Sequence, residues 1–519
     1  MSNLMTGGQM RTHEQAVIGG GSVTGLALMQ RAGQGVFDAI SQAFPELSDA
    51  CGRRALILCG PGNNGGDGFV VAHLLAAAGW AVDVALLGEA GHLPPDAAAN
   101  HARWVGTGAK RRDVLSLDQV VPLIAAQGAP DLVVDAVFGT GLRRGLSADV
   151  VEALRVSIEA ARHSVAVDIL SGLCADSGKW LGQAADLTVD LTVTFHTAKP
   201  GHYLAAGGRA TRRLVIVDIG LPVQSARIED AELIDAPAYS GEVARKDPAS
   251  HKYGSGHALV LSGGPGRTGA ARLAARAALR IGAGLVTIAV PPGAQQEVAC
   301  QITAIMLTRV ADSEALGVVL EDKRYSALCL GPGLGVGERT RSLVSEALSA
   351  GRSVVLDADA LTSFADDPMS LFEQVRGADV VLTPHGGEFA RLFPDLAEQL
   401  RAVAETGPAV SKIDVVRAAA ARAGCTVLLK GADTVIAAPD GRVRVHAACR
   451  ERAAPWLATA GAGDVLAGFV TGLMARGLEP LEAASHATWL HVECARAFGP
   501  GLIAEDLPEA LPGVLKALL

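Results

Sequence analysis

The sequence predicts two α/β domains in one chain, each an open, mostly parallel sheet with helices on both faces. Three observations predict it. Short, continuous apolar runs alternate with helix-length segments along the whole chain, as buried parallel strands and their crossovers do. Glycine-rich loops follow the apolar runs in both halves, and the 61 glycines show no fixed short period. Hydrophobic residues make up 49% but aromatics only 4%, so the cores are built from Ala, Val, Leu and Ile, which suits close helix–sheet layers.

In the first half, "RALILC" reads as a strand, "DGFVVAHLLAAAGW" as a helix and "AVDVALLG" as the next strand. "DLVVDAVFG", "SVAVDIL", "LTVTF" and "RLVIVDIG" are further buried strands. The stretch from Leu221 to Asp247 is polar and weakly periodic and reads as a linker. A second set follows: "HALVLSGG", the Ala-rich helix "GAARLAARAALRIGAG", then "LVTIAVP", "ALCLGPGLG", "SVVLDADAL", "DVVLTPHGGEF" and "CTVLLKGADT". Motifs and spacings differ between the halves, so they are not repeats. The division expected is 1–222, a linker at 223–247, and 248–519.

Composition excludes several classes. A net charge of −9 without a Lys/Arg block argues against nucleic acid. No apolar run reaches membrane-spanning length, and the first residues lack a signal-peptide pattern. The 8 cysteines never form C-x-x-C, which fits a reducing compartment. The expectation is a cytoplasmic enzyme of small-molecule ligands, assembled as a homo-oligomer.

"GPGNNGGDG", residues 60–68, carries the first candidate site. Its spacing satisfies G-x-G-x-x-G, which either closes a tight turn or cradles a pyrophosphate. The polar side chains of Asn63, Asn64 and Asp67 add little to a plain dinucleotide loop. They suit a hard cation or an oriented hydroxyl. "VVDAVFGTGLRRG" and "SVAVDILSG" place Asp135 and Asp168 near strand ends, before Gly139, Thr140 and Gly141 and before Ser171. Open α/β sheets keep their chemistry at such ends. In the second half, "ATAGAGDVLAG" sets backbone N–H groups and Asp464 at a helix start, where an anion and a proton acceptor are both served. "LLKGADTVI" offers a polar turn at Lys430–Thr434, and "LTPHGGEFARL" offers His385 beside Glu388.

Taken together, "GPGNNGGDG", "VDAVFGTGL", "AVDILSGL" and "TVTFHTAKPGH" resemble the epimerase domain of the bifunctional NAD(P)H-hydrate repair enzymes. "LCLGPGLG", "LTPHGGEFARL", "LLKGADTVI" and "ATAGAGDVLAG" resemble their dehydratase domain. The resemblance implies a Rossmann-like three-layer α/β/α domain followed by a ribokinase-like α/β domain. It implies epimerisation of hydrated NADH and NADPH at C6, then ADP-dependent dehydration of the S epimer with release of AMP and phosphate. By motif, the hydrate would contact Asn63, Asn64, Gly65, Gly66 and Asp67, then Gly139, Thr140, Gly141, Leu142, Arg143, Arg144 and Gly145, and Asp168. Potassium would be held by Asn64, Asp135 and Ser171. In the second domain the hydrate would contact Ala270, Gly333, His385 and Asp464. ADP would contact Lys430, Gly431, Ala432, Asp433, Thr434 and Gly463, with Mg²⁺ bridging its phosphates. Asp464 and Asp168 are the expected catalytic residues. The chain departs from the usual family residues at Gln30, Leu170, Gly386 and Ala462. A small-alcohol kinase fused to a non-catalytic nucleotide-binding module is the competing reading.

Overall fold

The computed structural model describes residues 1–47, 52–106, 113–183, 185–223, 227–228, 230–235, 241, 243–245 and 251–519. The chain divides into two compact units. One comprises Asn3–Ala226 with Val403–Ser411; the other comprises Met1–Ser2, Arg227–Ala402 and Lys412–Leu519. Much of the stretch expected as a linker (224–226, 229, 236–240, 242, 246–247) lies outside the described residues.

A short strand, β1 (Ser2–Leu4), opens the chain. The first unit carries seven parallel strands: β2 (Arg54–Cys59), β3 (Ala81–Leu86), β4 (Leu115–Ser116), β5 (Leu132–Ala136), β6 (His163–Val167), β7 (Val189–Phe195) and β8 (Thr211–Val217). Their order is β4-β3-β2-β5-β6-β7-β8. The two-residue alternation of a strand splits β2 between two cores. Ala55, Ile57 and Cys59 join one with Val36 and Phe69, whereas Leu56 and Leu58 join another with Val150 and Leu154. Both faces are therefore covered, which is why the run reads as continuously apolar. The chain reverses its direction of travel across the sheet between β2 and β5. Loops leaving those two strands diverge there and open a crevice.

The second unit follows the same logic. Its strands are β9 (Ala231–Leu233), β10 (His257–Leu261), β11 (Leu285–Val290), β12 (Met306–Arg309), β13 (Ala327–Leu330), β14 (Ser353–Leu356), β15 (Val380–Leu382), β16 (Thr426–Leu429), β17 (Asp433–Ala437) and β18 (Val443–Ala447). They run in the order β9-β18-β17-β16-β15-β14-β13-β10-β11-β12, with β17 antiparallel to both neighbours. The reversal point lies between β10 and β13. Alanine sets the packing distance here. Ala271, Ala274, Ala275 and Ala278 of the helix Gly269–Arg280 are fully buried, and a Cβ on Gly468 would lie 2.2 Å from the Ala274 carbonyl oxygen. The helix Ala462–Ala475 thus presses its backbone against its neighbour, which explains a core poor in aromatics. The architecture is the α/β one the sequence predicts. The strand Ala231–Leu233 lies in the stretch read as linker, and pairs with Val443–Val445.

Candidate active sites

In the first unit the crevice between β2 and β5 is floored by backbone. Gly60 N–H donates to the Ala136 carbonyl at 3.0 Å. A Cβ on Gly60 would lie 1.7 Å from the Val137 carbonyl oxygen, so only glycine lets the loops approach. The helix Asn63–Ala77 begins here with Gly62 as its cap. The first N–H groups of a helix have no intrahelical partner, which suits an anion there. Gly65 and Gly66 are buried and serve packing, against Gly60 and Met29 respectively. Asn63 and Asp67, one turn apart, line a cavity of about 130 Å³ with Glu14 and Asp96. Asn64 points elsewhere: a Cβ on Gly139 would lie 2.8 Å from both Asn64 Oδ1 and Asp168 Oδ2.

Asp135 is fully buried at the end of β5. Its Oδ1 accepts from Ser171 Oγ at 2.7 Å and from Val137 N–H at 3.1 Å, and its Oδ2 accepts from Ser171 N–H at 2.8 Å. Burial pushes its carboxyl up to about 6, against those hydrogen bonds. Nearby, the Asn64 Nδ2 group is buried without a hydrogen-bond partner among the described residues. Leu170 is buried in the core beside this turn.

Asp168 follows β6 with φ 65°, a left-handed conformation that Asp tolerates better than most residues. Thr140 N–H donates to its Oδ2 at 3.0 Å, and Thr194 Oγ1 donates to its Oδ1 at 3.0 Å. The Lys199 ammonium, 1% exposed, sits 3.0 Å from Oδ1. Burial would raise this carboxyl, but Lys199 and the Thr140 N–H outweigh it and hold the group at about 2. Asp67 goes the other way: burial, then the charges of Asp168 and Glu14, push it well above the carboxylate range. His202 takes Lys199 N–H on Nδ1 at 3.0 Å, so its Nε2 carries the hydrogen and donates to the Asp168 carbonyl at 2.8 Å. Lys199, His202 and Glu14 are additions to the residues selected from sequence. Lys199 and His202 lie inside the quoted "TVTFHTAKPGH", and a lysine following an apolar strand was the available signal.

The second unit gathers its groups at the ends of β10 and β13–β16. Ala270 and Gly333 meet at the reversal point, 3.7 Å apart between Ala270 Cβ and a Cβ built on Gly333. Lys430, after β16, places Nζ 2.7 Å from Asp357 Oδ1, and a Cβ on Gly463 would lie 3.4 Å from that ammonium. A lysine charge and the N-terminus of the helix Ala462–Ala475 therefore share one spot, suited to a phosphate. Asp464 stands in the first turn of that helix. Burial and the charge of Asp357 raise its carboxyl, Lys430 opposes them, and it comes to about 6.

His385 caps the short helix Gly386–Leu392. Its Nδ1 accepts from Gly387 N–H at 2.9 Å, and its ring is 57% exposed, 3.3 Å from Glu388. The turn Lys430–Thr434 is tied internally: Lys412 Nζ reaches Asp433 Oδ1 at 2.9 Å, and Thr434 Oγ1 donates to the Gly431 carbonyl at 2.8 Å. Ala432 N–H and carbonyl lie in the same turn, where the carbonyl accepts from Ala448 N–H. Asp357 and Lys412 are further residues that sequence reasoning left unselected. Asp357 carries the same signal as Asp168, an Asp just beyond an apolar strand.

Family comparison places both halves. Residues 25–201 match the family described as YjeF-related protein N-terminus, and residues 258–511 match the family described as NAD(P)H-hydrate dehydratase. The bifunctional NAD(P)H-hydrate repair enzyme Nnr of Moorella thermoacetica is 37% identical over 515 residues, covering 96% of this chain and 93% of that protein. Its Escherichia coli counterpart is 31% identical over 498 residues, covering 94% and 89%. A crystal structure of the ADP/ATP-dependent NAD(P)H-hydrate dehydratase from Bacillus subtilis, co-crystallised with ATP and Mg²⁺, is 27% identical, covers 54% of this chain and 97% of that one, and aligns with a TM-score of 0.44.

Proposed function

The chain belongs to the family of bifunctional NAD(P)H-hydrate repair enzymes, and we propose that its first unit interconverts the C6 epimers of the hydrates while its second dehydrates the S epimer with ADP. What supports the first assignment is a buried carboxylate, Asp168, paired with Lys199 at 3.0 Å and with Thr140 N–H at 3.0 Å and so held low, whose charge helps push the Asp67 carboxyl the other way. Such divergence separates a proton donor from a fixed anion. Asp67 donates its proton to the C6 hydroxyl, which leaves as water while the ring nitrogen supplies the electron pair. Water returns to the opposite face and gives up a proton, by which Asp67 is restored, while the Asp168 carboxylate faces the positive charge that develops on the ring. Thr140 and Lys199 hold Asp168 ionised throughout. The loop Gly139–Gly145 and the helix start at Asn63–Asn64 bind the phosphates.

A potassium ion would be held by Asn64, Asp135 and Ser171. The fit rests on the donor set, an amide oxygen, a hydroxyl and a buried carboxylate that no neighbouring cation lowers. Held there, the ion would supply positive charge to the site.

In the second unit Asp464 takes the C6 hydroxyl proton as that oxygen attacks the β-phosphorus of ADP, and AMP leaves. The C6–O bond to the new phosphate then breaks with the electron push of the ring nitrogen. Loss of a C5 proton to water or the departing phosphate restores the double bond and gives NAD(P)H. Lys430 and the amides of Gly463 and its neighbours stabilise the transferring phosphoryl group. Among the described residues no three His, Cys, Asp or Glu side chains are grouped to cage a metal. Mg²⁺ would accordingly be held mainly through nucleotide phosphates and water, its ordinary mode. NAD(P)H hydrate and ADP are the small-molecule partners, and the protein acts in the cytoplasm as a homo-oligomer. The test is recovery of nicotinamide absorbance from the hydrate with ADP. A persistent phosphorylated product in its place would instead make the second unit a kinase.

A further inference from the structure

Val403–Ser411 comes from the second half of the sequence yet clusters with the first unit. Its contacts fall on two turns beside the epimerase crevice. Gly407 N–H donates to the Arg143 carbonyl at 3.0 Å, and Thr406 pairs antiparallel with Arg144. The Ala404 carbonyl accepts from Gly182 N–H at 2.7 Å, and Ala409 N–H donates to Cys174 Sγ at 3.3 Å. Ala404 is buried with Leu142, Cys174 and Leu181 in a small apolar cluster of its own. A Cβ on Gly407 would lie 2.8 Å from the Leu142 carbonyl oxygen, so the two backbones are in direct contact.

The turn gripped in this way is Gly139–Gly145, with three glycines in seven residues. Such a segment has much conformational freedom to lose, and binds best when something else has already fixed it. Its first N–H beyond Gly139, that of Thr140, is the one on Asp168. We propose that Val403–Ser411 is a positioning strap for the epimerase site. It holds Gly139–Gly145 so that Thr140 stays on Asp168 and Arg143 and Arg144 face the hydrate. The inference rests on the reading of this loop as hydrate-binding, and the strap itself touches no reacting atom. Backbone groups make most of its contacts, so the strap tolerates side-chain changes except at Ala404 and Gly407.

The test uses the full-length chain. Residues 403–411 are replaced by nine Gly/Ser residues, and Ala404→Asp is made beside its conservative partner Ala404→Ser. Val403→Ser, at a position 70% exposed, is the control. Epimerisation of one pure hydrate is followed by NMR, dehydration of the S epimer in the same preparations, and amide exchange by mass spectrometry. The segment replacement and Ala404→Asp should lower epimerase kcat/KM about 10- to 100-fold, chiefly through KM, as expected for misplaced binding groups. Dehydration should hold, both serine variants should behave as wild type, and faster exchange should be confined to 139–145. Epimerase kcat/KM within about twofold of wild type overturns the proposal, because misplacement of this loop has to cost far more. Exchange spreading through Leu132–Ala136 also overturns it, by making the segment a general stabiliser. An unaltered chain that fails to epimerise would remove the hydrate reading instead, and exchange at 139–145 would then decide whether the strap orders the loop.

Discussion

The two sites occupy the same topological position, the reversal point of a largely parallel sheet, but they balance charge differently. In the first, one ammonium is matched to one carboxylate: Lys199 lies 3.0 Å from Asp168 and fixes it as an anion. In the second, Lys430 is shared among Asp357, Glu388 and Asp464, and Asp464 rests at about 6. A base that titrates near neutrality suits abstraction of an alcohol proton, since it is free at working pH and still basic. A permanently ionised Asp168 suits electrostatic stabilisation with proton transfer left to a partner. How the charges around each carboxylate balance, more than the fold, separates the two chemistries.

The largest effect that could break this contrast is at Asp464. Asp464→Asn is nearly isosteric and should keep ADP binding and the thermal midpoint. Loss of the proton acceptor should cost dehydration about 10²–10⁴ in rate, roughly 3–5 kcal/mol of barrier. Turnover measured with ADP affinity decides it, and near-normal turnover removes Asp464 from the mechanism. Lys199→Met probes the other balance. Removing one partner of a buried pair costs about 3–5 kcal/mol, read as a lower denaturation midpoint for the first unit. Adding Asp168→Asn should restore part of that stability, because the stranded charge is gone.

Proton linkage sharpens the contrast further. As the proposed base, Asp464 would work deprotonated, so dehydratase kcat/KM in the free enzyme should fall as pH drops below about 6, by about tenfold per unit. The ionised Asp168, at about 2, puts no limb in that range. A pH series on each activity in one preparation tests the pair of statements, and a flat dehydratase profile contradicts the first. The smallest effect concerns potassium. Exchange for a bulky organic cation at equal ionic strength should weaken hydrate binding to the first unit and leave ADP binding alone. Unchanged hydrate affinity counts against a held ion.

What was legible in the sequence follows the same physics. "RALILC" is the strand Arg54–Cys59 because both its faces are buried, leaving a continuous apolar run. Asp135, Asp168 and Ser171 stood out because charged or polar groups end such runs before glycines. Lys199 did not, because its meaning depends on β7 lying beside β6, a pairing between segments about twenty-six residues apart. Ala231–Leu233 was too short for a period-two signal and owes its extended form to Val443–Val445. The strap Val403–Ser411 has no hydrophobic period, and its partners lie more than 200 residues away in sequence.

The central claim is that one chain runs two separable reactions at two sites. It is tested most directly by feeding the Asp168→Asn chain, with ADP, one pure hydrate epimer at a time. Asn tolerates the left-handed backbone that position 168 adopts, so the loop should persist. The S epimer should return to NAD(P)H at the wild-type rate. The R epimer should be consumed only as fast as it epimerises without catalysis. Equal loss with both epimers in a folded variant, or wild-type consumption of the R epimer, would contradict the account.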